Sequence, residues 1–149
     1  MAIEYLRSPV GILKIVSDGK AVTEISICNA AEACKSDAVT SAAAKQITEY
    51  FDGKRTEFTF DINAGGTDFQ KKVWSVLRTI PFGKTYSYGE VAEKAGNKKA
   101  CRAVGNAVGR NPVLIAIPCH RVTAAKGIGG FSAGIKVKKI LMKTENIKF

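Results

Sequence analysis

Pro118-Cys119-His120-Arg121 puts the chain's only histidine directly after a cysteine, at the end of the apolar run Leu114-Ile115-Ala116-Ile117. A thiol beside an imidazole suits nucleophilic chemistry, because the thiolate is the reactive form and a nearby base can take its proton. Any Cys–His chemistry within one chain must use His120, and since adjacent side chains need not face each other, the proton could travel through a water. Pro118 places Cys119 at the exit of the apolar run, where functional groups commonly sit. The competing use of Cys119 is burial as a small, inert apolar residue. The basic sequence around it and the histidine beside it both favour a thiolate. A metal site is not indicated: Cys28, Cys34, Cys101, Cys119 and His120 show neither C-x₂-C nor H-x₃₋₅-H spacing. A Cys28–Cys34 disulfide is disfavoured in a reducing compartment.

A second group of residues suggests what the thiol acts on. In a helix running from Lys98 to about Gly109, Arg102, Gly105, Asn106 and Gly109 share one face, with Cys101, Val104 and Val108 opposite as core. Each interior glycine costs about 1 kcal/mol relative to alanine, so something must compensate. Packing against a neighbouring helix is one explanation. Close approach of the backbone to a ligand, with Arg102 as the only long side chain there, is the other, and a basic region favours it.

Charge distribution points the same way. The chain of 149 residues carries a net +10, but residues 1–68 hold 7 Lys/Arg and 10 Asp/Glu, whereas residues 69–149 hold 16 and 3. A net of −3 against +13 implies that the C-terminal half binds a polyanion, nucleic acid before an anionic membrane surface. With 46% apolar and 24% charged residues the composition is that of an ordinary globular protein. No apolar run nears the roughly 20 residues that span a bilayer. Met1 to Arg7 has no basic segment leading into an apolar one, so a cytoplasmic location without a signal peptide is expected.

These residues need elements to hold them. Residues 11–16 and 21–27 read as strands flanking the turn Asp18-Gly19. Residues 42–51 read as a helix with Ala44, Ile47 and Phe51 on its apolar face and Gly53 as its stop. Phe58, Phe60 and Ile62 alternate with polar residues as a half-buried strand, and Asn63-Ala64-Gly65-Gly66 forms a joint. Thr67 to Gln70 has capping-box spacing ahead of a stripe of Phe69, Val73, Val76, Leu77 and Ile80, broken by Pro81-Phe82-Gly83. Ser87 to Glu90 repeats the box and opens a short helix to Ala95, ended by Gly96. With the glycine-faced helix it makes a helix-turn-helix. The expected fold is α/β (α+β): a small strand-and-helix domain over 1–65 and a mainly helical domain over 66–149.

Ile117-Pro118-Cys119-His120-Arg121-Val122 resembles the active-site motif of the O6-alkylguanine-DNA alkyltransferases. Residues 66–74, 80–88, 102–107 and 111–113 are similar to further segments of that family, in the same order, so the likeness covers nearly the whole chain. The resemblance implies irreversible, single-turnover transfer of an alkyl group from O6 of guanine in double-stranded DNA to Cys119, without a cofactor, by a monomer. His120 would take the thiol proton through a water, Glu145 would orient the imidazole, and Tyr88 would donate to the guanine ring as it leaves. Asn111 would bridge the active-site turn and the recognition helix. Arg102 would replace the extruded nucleotide in the base stack. Gly105, Asn106, Arg121, Tyr88 and Ser132 complete the DNA-binding set, with Ser132 in the loop lining the alkyl pocket. The family's helix-turn-helix uses the minor groove, so little sequence preference is expected. Some relatives bind zinc in the first half, but this chain has no histidine there, and no metal is expected. Phe131 stands where many relatives have tyrosine, and the 123–130 loop is a residue shorter than in some, both of which bear on pocket size. A non-catalytic regulator would leave Pro118-Cys119-His120 unexplained. A cysteine hydrolase would leave the basic, glycine-faced helix unexplained.

Overall fold

Asp18 and Gly19 make the tight turn on which the first sheet is built. Asp18 Oδ1 accepts from the amides of Lys20 and Ala21, both at 2.9 Å, and Gly19 adopts φ +95°, which its missing side chain allows. In the computed structural model, which describes residues 1–149, β2 (Gly11–Ser17) and β3 (Val22–Cys28) form this antiparallel pair. A third strand, β1 (Ala2–Ser8), pairs with β2 on its other side, giving the order β1-β2-β3. Glu4 and Arg7 interrupt its apolar pattern, which is why the sequence hid it.

Helix α1 (Ala38–Phe51) starts four residues before the expected position. Asp37 and Thr40 cap it reciprocally, a box that uses threonine where glutamate or glutamine is usual. Its buried face is Ala43, Ala44, Ile47 and Tyr50, so Tyr50 takes the place expected for Phe51. The Phe58 to Ile62 segment is not the expected strand. Its burial does alternate, but only Ile62 bridges to Val22. Thr59 is tied instead to Gln46 of α1, its amide donating to Oε1 at 2.9 Å and its hydroxyl accepting from Nε2 at 2.7 Å.

The chain divides into two compact units, 1–65 with 112–114, and 66–111 with 115–149. Pro112–Leu114 belongs to the first because it pairs with β3. Ile25 N donates to Pro112 O and Leu114 N donates to Ile25 O, each at 3.0 Å.

The second unit opens with α2 (Asp68–Leu77), capped by the expected Thr67–Gln70 box. Val73, Trp74, Leu77 and Ile80 are buried there, whereas Phe69 and Val76 are only half-buried. Trp74 Nε1 donates to Ala107 O at 2.9 Å and so ties α2 to α4 (Cys101–Gly109). Strand β4 (Tyr86–Ser87) leads directly into α3 (Tyr88–Lys94), whose first turn Ser87 caps by accepting from Glu90 N. Gly96, at φ +93°, turns the chain from α3 toward α4 and completes the helix-turn-helix. Helix α4 begins at Cys101 rather than Lys98, because Asn97 holds the intervening residues in a turn. Strand β5 (Val122–Thr123) pairs parallel with β4, and α5 (Ile135–Thr144) follows. No helix is long and apolar enough to cross a membrane.

Candidate active site

The apolar run before Cys119 is a turn. Ile115 is held at φ +73°, a left-handed conformation that is strained for a β-branched residue. Pro118 then opens a 3-10 turn over Cys119–Arg121 that continues into β5. Asn111, just beyond α4, donates from Nδ2 to Ile117 O at 2.8 Å and fixes the turn to the end of that helix. The ladder of β5 on β4 sets Val122 beside Tyr86 and Thr123 beside Ser87, so the same turn is anchored to the start of α3.

His120 is fully buried, and its Nε2 lies 2.5 Å from Glu145 Oε2. Its Nδ1 is buried and bonded to no protein atom. Glu145, at the end of α5, also accepts from Gly83 N at 3.0 Å and from Arg121 Nε and Nη2 at 2.8 and 3.2 Å. Burial alone would raise its carboxyl, but the hydrogen bonds and charges of His120 and Arg121 bring it down to about 2. Burial lowers the His120 pKa against the opposing pull of Glu145. The resting pair is thus a neutral imidazole donating from Nε2 to a carboxylate, with Nδ1 left as the basic nitrogen.

Arg121 is not placed to bind DNA, contrary to the sequence expectation. It is 6% exposed, bidentate to Glu145, donates to Ile80 O at 2.6 Å and lies over the Phe82 ring. Its guanidinium balances the Glu145 charge inside the protein, with three of its five N–H groups committed to protein acceptors.

Cys119 is 1% exposed. Burial pushes its thiol up to about 11, and the opposing effects of an Asn111 hydrogen bond and the nearby Lys138 charge are smaller. Burial thus opposes ionisation, so the thiolate that the basic surroundings favour has to be formed by removal of the thiol proton. Lys138 was missed by sequence reasoning. The signal was periodicity, since Lys138, Leu141, Met142 and Glu145 follow the i, i+3, i+4, i+7 spacing of one helix face and all four are buried.

The loop after β5 returns to the same place. Gly129, at φ +79°, is packed so closely that an added Cβ would lie 3.0 Å from Ala124 N, 3.4 Å from the Tyr88 ring and 3.5 Å from Lys138 Nζ. Tyr88 is half-buried. Burial raises its phenol, while a hydrogen bond from the Gly130 backbone lowers it. Ser132 is exposed and Phe131 half-buried in this loop.

On α4, Arg102 and Asn106 are exposed. An added Cβ at Gly105 or Gly109 would meet nothing within 4 Å, and neither glycine has positive φ. No packing within the chain therefore requires them, which removes the neighbouring-helix explanation. Cys101 is exposed rather than core, and Ala107 joins Val104 and Val108 on the buried face.

Cys119, His120, Glu145 and Asn111 thus form one linked set. Tyr88 reaches it through the loop, and Arg102, Gly105 and Asn106 lie on the open face of α4.

Residues 1–64 match a family model described as 6-O-methylguanine DNA methyltransferase, ribonuclease-like domain. Residues 68–147 match its companion, 6-O-methylguanine DNA methyltransferase, DNA binding domain. The chain is 39% identical over 147 residues to the methylated-DNA–protein-cysteine methyltransferase of Mycobacterium bovis, covering 94% of this chain and 89% of that protein. It is 46% identical over 104 residues to the protein of the same name from Methanosarcina acetivorans, covering 69% and 67%. A solved structure of Mycobacterium tuberculosis OGT in complex with DNA superposes with a TM-score of 0.88 at 39% identity, over 97% of this chain and 92% of that one.

Proposed function

The chain belongs to the 6-O-methylguanine DNA methyltransferase family, and we propose that it repairs DNA by direct reversal, with Cys119 as the methyl acceptor. The observation that carries the assignment is the buried thiol served by a neutral, carboxylate-oriented imidazole with a free Nδ1. Nδ1 of His120 takes the thiol proton through a water. The Sγ–methyl bond forms as the methyl–O6 bond breaks, and guanine leaves with a proton that restores the neutral base. Tyr88 donates to the departing ring. No redox change occurs, and no cofactor is needed. The product thioether is a poor leaving group, so each molecule acts once.

A base inside a duplex cannot meet this sulfur, so the nucleotide is flipped, at a cost of a few kcal/mol. Arg102 fills the space left in the stack while the open glycine face of α4 lets its backbone come close to the minor groove. The contacts are mainly to phosphate and carry little sequence preference. The protein acts as a monomer in the cytoplasm.

Mass spectrometry after mixing with duplex DNA containing O6-methylguanine tests the reading. One added methyl on Cys119 is expected, and none on a Cys119→Ala protein that still binds the lesion. Methylation of another cysteine, or binding without transfer by the unaltered protein, overturns it.

A further inference from the structure

We propose that Lys138 is a positioning residue for methyl transfer: it clamps the loop beside Cys119 and holds a fixed positive charge toward the sulfur as that atom becomes anionic. This rests on Cys119 being the acceptor.

Lys138 is fully buried, and its ammonium donates to three carbonyls: Val122 O at 2.6 Å, Ile128 O at 2.7 Å and Gly130 O at 2.9 Å. All three N–H groups are used, one on the strand leaving the Cys119 turn and two on the loop that follows. The Gly130 C=O is bonded to Lys138, and the Gly130 backbone is close enough to the Tyr88 phenol to lower its pKa. Gly129 packs between those two side chains, where an added Cβ would be tight against Ala124 N and strained by the positive φ. The loop is therefore fastened to α3 through Tyr88 and to α5 through Lys138.

A clamp alone would not call for a charge. Burying an ammonium is costly unless an opposite charge compensates it, and no carboxylate lies within ion-pair distance of Lys138. Glu145, the buried carboxylate of this region, is already paired with Arg121 and His120. The Lys138 charge acts on Cys119 and His120 of the turn, and its ammonium and the Tyr88 ring both pack on Gly129. Of these, Cys119 is the one that must become negative during transfer. The ammonium is uncompensated in the resting site and compensated as the thiolate forms, so its interaction is stronger in the transition state than before it. That difference is what accelerates a reaction. Burial draws the ammonium down to about 8, which reflects the same lack of a resting counter-charge.

The test uses the full chain with Cys28, Cys34 and Cys101 changed to serine, so that Cys119 is the sole thiol. Single-turnover transfer from O6-methylguanine duplex, DNA affinity, and the pH midpoint for methylation of Cys119 by iodomethane are measured for this parent, Lys138→Met, Lys138→Arg and Gly129→Ala. Lys138→Met should transfer about 100-fold more slowly, the effect of removing one preorganised charge-stabilising donor. Its DNA affinity should hold, and its iodomethane midpoint should move up by about one pH unit. Lys138→Arg keeps the charge but offers a planar fork to three carbonyls, so transfer slows while the midpoint stays. Gly129→Ala, which disturbs the loop and leaves the charge, should also slow transfer without moving the midpoint. Transfer by Lys138→Met at the parent rate, or slowed transfer with an unmoved midpoint, overturns the proposal. Should Lys138→Met fail to fold, a midpoint raised in Lys138→Arg or Gly129→Ala overturns it instead. A parent that shows no transfer at all defeats the assignment of Cys119 and not the role of Lys138.

Discussion

At the scale of single residues, the site depends on the buried Glu145 carboxylate being answered by Arg121 and His120. Glu145 ionises near 2 when folded against an ordinary 4.5, so it contributes stability that is present above 4.5 and lost as pH falls from there toward 2. The shift is worth about 3 kcal/mol. His120 adds to this, because its lowered pKa means the unfolded chain gains a proton below about 6.5 that the folded one resists. Denaturant unfolding should therefore weaken from about pH 6.5 downward and continue weakening through pH 3. Glu145→Gln should start lower by roughly 3–5 kcal/mol, since it strands Arg121, and show a flatter acid limb. An equally steep limb in both proteins would remove the carboxylate from this role. Cys119 is buried, and a methyl added to a close-packed sulfur overpacks its surroundings by about 1–3 kcal/mol. At about 2–4 °C per kcal/mol for a chain of this size, the methylated protein should melt several degrees lower by calorimetry, and a benzylated one lower still. An unchanged melting temperature would mean that the pocket already holds room for the group. The Cys–His pair could be read directly from adjacent letters. The thiol's protonation could not, because burial outweighs the neighbouring charges and burial is a property of the fold.

At the scale of elements, α4 shows which features are legible in one sequence. Its glycines and Arg102 could be placed on one face from spacing alone, yet the choice between packing and ligand approach needed the open space beyond them. Arg102→Ala should slow repair of duplex DNA strongly but leave reaction with free O6-methylguanine base nearly unchanged, because only the duplex requires flipping. Equal losses in the two rate measurements would remove the intercalating role. The capping box at Thr67 announced its helix, and at Ser87 only the N-cap half of the expected box forms, Glu90 making no return bond. The Asp37–Thr40 box did not announce its helix, since its third position breaks the usual pattern. Phe58 to Ile62 had the alternation of a strand, but alternation reports burial on one side, and the hydrogen-bond partner turned out to be a helix side chain. Arg121 was misread because a basic residue beside a nucleophile looks like a phosphate contact, and its carboxylate partner lies 24 residues on.

At the scale of the whole molecule, the charge belongs to the second half of the chain and so should the salt dependence. If that half neutralises about four phosphates, log affinity for DNA should fall with log salt at a slope of about −3.6, with little change between flanking sequences. A slope near zero in a titration over salt would point to recognition by base edges instead. The division at residue 65 was visible as a glycine joint, but Pro112–Leu114 was not, because three residues carry too little pattern to reveal a strand-like partner for β3. That short segment gives the protein an order of assembly. During synthesis the three strands are complete once residue 28 has left the ribosome, yet the amide and carbonyl of Ile25 on the outer edge of β3 stay unmet until residue 114 follows. An open edge of this kind is a template for pairing with other chains. A nascent protein stalled between these two points would thus be the species most prone to aggregate, and the residues that protect it are the same ones that lead the chain into its catalytic turn.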